Sequence, residues 1–536
     1  MRYLFFLLLL AGLSSCRPDS SGKNNAHRLI HNNDGTEILG NNWYGKRPLT
    51  LSDVHRYVDD IAASQVTTFM ICSGSDFFYY RSKYGGLIGD PAFGGCPGNK
   101  DLGAALNRFY ENALALEKEG TDIVEATLKR AHDKKMEAFI SYRMNDLHFA
   151  DTTTNYPQQY GSFWRANPQL WTSDSTLNGW NARNALDFAH PEVREFKQNI
   201  IREQLLKYGS LIDGYELDFM RFIVYFRKAE AVQNAPLMTE LVRSVRQMVD
   251  SVGKIHHKKI LLTARVPATL KDCDAKGLDV REWAKLGLID FLTLGVHWLG
   301  EPAMPVADFK KDFGADLPVY ASIDDGGYKP RETYSHGMYR GMASHALAQG
   351  ASGSYLFNYF LTAYNDAGQK SVQVPGTLVS RTISPLLLQE IGSLETLRKR
   401  NKVFCLSDGA TSYDLTPNSP LPLHFTGSAE AGIFIGDNVA EGVPEEVILF
   451  VRTDAPGDLT TSINGHELKD VRPDYPGLFD KLLGLSDGQK VVAYLVPADK
   501  IRSGKNDLRF SSSEKTAVYR IELALKYGPV ETHGFF

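Results

Sequence analysis

The chain is predicted to be an α/β protein, a (β/α)8 TIM barrel followed by a C-terminal all-β sandwich. Three observations predict it. Between residues 27 and about 400, eight short apolar strands alternate with amphipathic helical stretches. Beyond Lys402 the helical period disappears, and short β segments broken by Gly, Asp, Asn and Pro take over. Polar residues recur at the carboxyl ends of the predicted strands, the face where sites on this fold are built.

The strands, in order, are "RLIHNND", "VTTFMICSG", "MEAFISYRMND", "IDGYELDFMRF", "KKILLTARVPA", "LIDFLTLGVHW", "LPVYASIDDG" and "GSYLFNYF". Each is a short apolar run rich in β-branched or aromatic residues. Between them lie "LSDVHRYVDDIAAS", "IVEATLKRAHDKK", "PEVREFKQNIIREQLLKYG", "MTELVRSVRQMVDSVG", "VREWAKLG" and "SHGMYRGMASHALAQG", with apolar residues at helical spacing. "ISPLLLQEIGSLETLRKR" is predicted to be the eighth helix. An open doubly wound sheet competes, but no Gly-rich phosphate turn follows the first strand. The expected domains are a barrel over 27–402 and a β-sandwich over 403–536, the latter a stabilising appendage or an aid to glycan binding.

The chain opens "MRYLFFLLLLAGLSSC": one Arg, an apolar run too short for an ordinary membrane span, then small residues and Cys16. "LSSC" resembles the bacterial lipobox. Residues 1–16 are therefore expected to be a lipoprotein signal peptide, with Cys16 lipidated and 17–26 a flexible tether. The expected location is the bacterial cell envelope, at the outer membrane and facing periplasm or cell surface, with the membrane met only through the lipid. The 536 residues carry a net charge of −4 and no basic stripe, which excludes a nucleic-acid partner. Four cysteines follow Cys16 and form no C-x-x-C. An exported location permits a Cys72–Cys96 disulfide; four unpaired thiols are the alternative.

The stretch "DGYELDFMRF", Asp213 to Phe222, holds the main clue. On a strand Glu216 and Asp218 share one face while Tyr215, Leu217 and Phe219 share the other. The apolar set should face the helices, aiming both carboxylates into the barrel with Asp218 nearer the rim. Two interior carboxylates must be paired, protonated or used. Other strand-end residues join them: Arg143, Asn145 and Asp146 after strand three, Arg265 on strand five, His297 and Trp298 on strand six, Asp324 on strand seven, and Asn358 with Tyr359 on strand eight. Arg221 continues the inward parity of strand four.

Each has a structural alternative. Glu216 could be half of a buried ion pair with Arg143 or Arg265. His297 is open to a packing role, and Arg221 to pairing with Asp218. Asp324 is open to three roles: base, nucleophile or hydrogen-bond acceptor. Asp325 points the other way by alternation. Two long connections, after strands two and three, leave the same face and are rich in rings. Tyr79, Tyr80, Trp164, Trp171, Trp180, Trp298 and Tyr359 are candidate platforms for the flat faces of sugars, although a single ring is more often core.

Paired carboxyls suit glycoside hydrolysis, where one protonates the leaving oxygen and the other attacks the anomeric carbon or activates water. Strand one carries "IHNND" rather than a metal-binding His-x-His, and no G-x-S-x-G, P-loop or H-E-x-x-H is present. No cofactor or metal is expected.

"FISYRMNDLH", "LDFAHPEVREFKQNIIREQLLKYG" and "DGYELDFMRF" together resemble the bacterial glycoside hydrolase family 10-like barrel proteins over roughly residues 27 to 400. The resemblance implies a TIM barrel and a glycosidase, with Glu216 and Asp218 in the site. Strand four has Leu217-Asp218, and strand seven offers Asp324, in place of the Asn-Glu and Glu of the true xylanase pattern. The expectation is an exported glycoside hydrolase acting on a polysaccharide or oligosaccharide. Asp218 is taken as general acid, Asp324 as its partner and Glu216 as a third carboxylate. Arg143, Asn145, Asp146, Arg221, Arg265, His297, Trp298, Asn358, Tyr359 and Trp180 are expected around the substrate. The alternatives are a non-catalytic glycan-binding lipoprotein and an enzyme of the cell's own peptidoglycan.

Overall fold

The computed structural model describes residues 27–40, 47–93, 100–148, 150, 162–179, 181–297, 302–324, 335–359, 372–373, 380–381, 385–407, 413–455, 457, 459–469 and 488–529. Eight parallel strands close into a barrel: β1 (Arg28–Asn33), β2 (Thr68–Cys72), β3 (Glu137–Arg143), β4 (Gly214–Asp218), β5 (Leu261–Pro267), β6 (Phe291–Gly295), β7 (Val319–Asp324) and β8 (Gly353–Phe357). Each pairs with its sequence neighbours, and β1 pairs with β8 to complete the circle. The TIM barrel expected from the alternation is present.

Helices α1 (Leu51–Ala62), α2 (Lys100–Lys118), α3 (Ile123–Asp133), α4 (Pro191–Tyr208), α5 (Ala231–Ile255), α6 (Val280–Lys285), α7 (Val306–Phe313) and α8 (His336–Ala348) fill the intervals between strands. Local chemistry starts them. Thr50 and Asp53 form a capping box on α1, Asp122 and Ser335 cap α3 and α8, and Pro191 opens α4. Helices α2 and α7 were not foreseen. The expected eighth helix is a correction: a 3-10 turn, Pro385–Gln389, and a single short helix, Leu394–Leu397, replace it. The chain breaks at Gly392, whose N–H donates to Gln65 at 2.8 Å, and Ser393 caps the new helix through the N–H of Thr396.

Side chains stack inside the barrel in layers, because in-register strands bring alternate residues to common heights. The floor is polar: Arg28 pairs with Glu137 at 2.6 Å and donates to Tyr320 at 2.9 Å. Above it Ile30, Met70, Phe139, Leu261 and Phe291 form an apolar plug. Asn32, Ser141, Glu216 and Tyr355 make a polar tier over that plug, and Arg143, Asp218, Arg265 and Asp324 form the rim. The opposite parity, including Tyr215 and Leu217, packs on the helices in the main core.

The C-terminal region is the expected β domain. It is one seven-stranded antiparallel sheet: β9 (Lys402–Leu406), β10 (Leu423–Ile435), β11 (Glu446–Thr453), β12 (Thr460–Ile463), β13 (His466–Leu468), β14 (Lys490–Leu495) and β15 (Gly504–Lys526). The 23-residue β15 runs through it, pairing β10 and β12 along its first half and β9 and β11 along its second. Strands β9 and β11 are buried on both faces. Phe404, Leu406, Val447, Leu449 and Val451 enter the domain's own core, while Val403, Cys405, Ile448 and Phe450 join the barrel's. Helix α8 is where the two meet.

Candidate functional site

The polar tier and rim meet the paired carboxylates in the orientation parity requires. Glu216 is fully buried. Its Oε1 accepts from Ser141 Oγ at 2.7 Å, Tyr355 hydroxyl at 2.8 Å and Asn32 Nδ2 at 3.2 Å. Its Oε2 has no hydrogen-bond partner among the described residues. Burial, reinforced by the nearby Asp218 charge, pushes its pKa up to about 7.

Arg265 organises the rim. Its Nη1 lies 3.4 Å from Asp218 Oδ1, and its Nη2 donates to Asp324 Oδ2. Its guanidinium also sits 4.1 Å above the Phe357 ring. Asp218 takes a further bond from the Met220 backbone N–H at 2.8 Å, and Asp324 one from Ser322 Oγ. Burial outweighs Arg265 at Asp324 and raises its pKa to about 6. Asp218 and Asp324 are each only 1% exposed.

These partners correct one expectation. Neither Arg143 nor Arg265 forms an ion pair with Glu216. Arg143, the last residue of β3, instead meets Asp146 at 3.0 Å and Asp34 at 3.6 Å. Arg221 does not pair with Asp218; its Nη2 donates to His148 Nε2 at 2.5 Å, and His148 Nδ1 meets Asp146 Oδ1 at 2.5 Å.

Asn145 is buried, and its Nδ2 donates to the carbonyls of Leu186 and Val224 at 3.1 and 2.7 Å, joining two rim loops. His297 has a positive φ and packs edge-on against Phe222 and Tyr413, with centroids 5.6 and 4.9 Å away. Burial and the neighbouring Arg221 charge hold its pKa well below the usual histidine value. Asn358 is half-buried at the end of β8, its backbone N–H on the Asn32 carbonyl at 3.2 Å.

Several rings proposed as platforms are core. Tyr79 and Tyr80, within the connection after β2, are buried, and Tyr80 is tied to Glu203 at 3.1 Å. Tyr359 is buried edge-on against Tyr339, and its carbonyl bonds His31 at 3.1 Å. Trp164 is buried and stacks on half-buried Trp171 with centroids 4.4 Å apart. Cys16, Cys96, Trp180, Trp298 and Asp325 lie outside the described residues. Cys72 is a buried thiol.

Sequence reasoning missed several contributors. Asn32, Ser141, Ser322 and Tyr355 share the inward parity of their strands, a signal that could have found them. His148 lies only two residues beyond Asp146. Tyr413 gave no signal, because it follows the barrel in sequence. Its segment returns to the mouth, held by Lys276 on the Tyr413 carbonyl, Lys228 on Asp414 at 3.0 Å and Thr416 on Asp272 at 2.8 Å.

Among the described residues no cluster of His, Cys, Asp and Glu is arranged to hold a metal ion, and no helix is long and apolar enough to cross a membrane. No family model and no curated protein matches the chain. Solved structures similar to it include three carbohydrate-active proteins. A GH18 chitinase from Chromobacterium violaceum is 12% identical, with 92% of this chain and 91% of that one covered and a TM-score of 0.37. Catalytic domain 2 of an Ostrinia furnacalis Group II chitinase is 12% identical over 70% and 97%, with a TM-score of 0.37. A Paenibacillus cycloisomaltooligosaccharide glucanotransferase is 8% identical, with 92% of this chain covered and a TM-score of 0.35; the match spans 57% of that longer chain. Likeness at this level decides nothing about chemistry, which the site itself must carry.

Proposed function

We propose that the protein is a glycoside hydrolase working at the carboxyl end of its barrel. One observation carries the reading: Asp218 of β4 and Asp324 of β7 converge on the single guanidinium of Arg265, with the protonatable Glu216 directly below. Glycosidic cleavage needs one carboxyl that gives a proton and one that serves the anomeric carbon or a water. The raised proton affinity of Asp324 favours it as the acid, reversing the division expected from sequence, and leaves Asp218 as the partner. Glu216 holds its own proton near neutral pH and steadies the tier through Ser141 and Tyr355.

The test is a panel of plant, host and peptidoglycan glycans screened for released oligosaccharides. The wild type should cleave at least one, and Asp218→Asn should keep its fold and lose turnover. Normal turnover by that variant refutes the assignment.

A second reading, a glycan-binding protein without turnover, is favoured by the near-complete burial of both aspartates and their pairing with Arg265. Binding without product across the panel selects it. The reading also includes export. The leader sequence supports lipidation of Cys16 and an envelope location, and mass spectrometry of the mature N-terminus tests it.

A further inference from the structure

Building on the hydrolase reading, we infer that the glycan taken at this mouth carries an acidic substituent, a ring carboxylate or a sulfate, received by Arg143 and Arg221. Arg143 ends β3 in register with Asp218, one layer above Glu216, and Arg221 lies three residues beyond the end of the adjacent strand β4.

Both have hydrogen-bonding capacity left over. Arg143 is 3% exposed, yet its guanidinium makes one hydrogen bond to a carboxylate, at Asp146. Asp34 stands 3.6 Å away, beyond hydrogen-bond reach. Arg143 Nε and Nη2 have no hydrogen-bond partner among the described residues. A guanidinium has five N–H donors, and leaving buried ones unmade is costly. Arg221 is half-buried. Its Nη2 is spent on His148, while its Nε is buried without a partner among the described residues.

The neighbours fix this arrangement. With Asp146 accepting at Nδ1, the His148 ring offers its Nε2 lone pair to Arg221. That contact uses a neutral acceptor, and the carboxylates of Asp146, Asp34 and Asp218 act on the Arg221 charge from a distance, without an ion pair among the described residues. Arg143 and Arg221 also repel: burial first, then the Arg143 charge, lowers the pKa of Arg221. Two like charges at a rim, with the Nε and Nη2 fork of Arg143 and the Nε of Arg221 unused, match an oxyanion. A neutral hydroxyl could fill a donor but would not relieve the repulsion. Phe222 and Phe357 lie 5.5 and 6.0 Å from the Arg221 guanidinium and limit its swing.

The experiment uses the full chain with matched substrates: a polyuronate against its carboxyl-reduced form, and a sulfated glycan against its desulfated form. The wild type should prefer the acidic member of one pair by roughly 10- to 100-fold in kcat/KM, the range expected for a charged hydrogen bond. The preferred pair tells carboxylate from sulfate. Arg221→Gln should lose the preference through KM, while Arg221→Lys keeps part of it; melting temperatures check that both fold. Equal or better cleavage of neutral members, or an equal loss on both members in Arg221→Gln, overturns the inference and leaves the hydrolase reading standing. If no glycan is cleaved, the hydrolase reading fails and calorimetric titration with the same pairs decides. Selective binding of an acidic member, lost in Arg221→Gln, supports the inference, and binding without selectivity overturns it.

Discussion

Tyr355 reaches across the barrel from β8 and donates its phenolic hydrogen to Oε1 of Glu216 at 2.8 Å. The bond favours the charged carboxylate, yet burial outweighs it and Glu216 keeps a raised pKa near 7. The sign of the resulting pH dependence follows. Between the ordinary glutamate value, 4.5, and about 7, the folded chain holds a proton that the unfolded chain has released. Stability therefore falls as pH rises through that window and levels off above it. Asp324 acts in the same direction between 3.8 and about 6. Thermal melts of the wild type should decline up to about pH 7, whereas Glu216→Gln should level off by about pH 6. Tyr355→Phe should push the Glu216 titration higher still and lower stability by about 1–2 kcal/mol.

Asp324 carries the pH prediction for activity. A general acid works only while protonated, so turnover should fall as pH climbs through about 6. Asp324→Asn should remove that limb and lower kcat by roughly 10²–10⁴-fold. A wild-type rate that holds through pH 6 and falls only near pH 7 would move the acid role to Glu216, whose titration lies higher, and a rate flat to pH 8 would exclude both.

Arg265 is the most sensitive single position of the rim. Arg265→Met leaves Asp218 and Asp324 buried without their shared cation, and breaking a buried pair in this way costs about 3–5 kcal/mol. Denaturant unfolding should show that loss. Adding Asp324→Asn should restore part of it, because one of the two uncompensated charges is then gone. Strict additivity of the two substitutions would show that Arg265 and Asp324 do not act as a pair.

Much of this was legible in the chain, and the reasons are particular. The period of two on β4 put Glu216 and Asp218 inside before any coordinate was needed, and alternation alone announced the barrel. Ion-pair partners were not legible, because they depend on strand register and loop return. Arg143 could face either Glu216 or its own loop, and the turn bringing Asp146 back three residues later decided it. Ring counts marked Tyr79, Tyr80 and Tyr359 as surface candidates, but burial is a tertiary property that composition does not encode. The eighth helix failed for a local reason: Gly392 and Ser393 interrupt an otherwise helical apolar pattern, and a new cap outcompetes continuation. Tyr413 reaches the mouth from beyond the barrel, so no strand periodicity could place it.

The contact between barrel and β domain supplies the last prediction. Helix α8 lies so close to β9 that a Cβ added at Gly341 would stand 2.0 Å from the Val403 carbonyl oxygen. One added at Gly436 would stand 2.2 Å from the Ser344 carbonyl oxygen. Polar anchors complete the seam: Asp437 takes Lys402 at 2.8 Å, Tyr527 at 2.9 Å and Ser344 at 3.0 Å. In an open helix Gly→Ala stabilises by about 1 kcal/mol. At Gly341 the clash reverses the sign, because neither the helix nor the strand backbone can retreat without opening the shared core. Gly341→Ala should therefore lower the melting temperature, with a loss of about 1–3 kcal/mol typical of overpacking. Since the Tyr413 segment leaves the β domain to roof the mouth, the same variant should also raise KM for any glycan the protein cleaves. A Gly341→Ala protein that melts higher than wild type would show that the two domains are not packed through this helix.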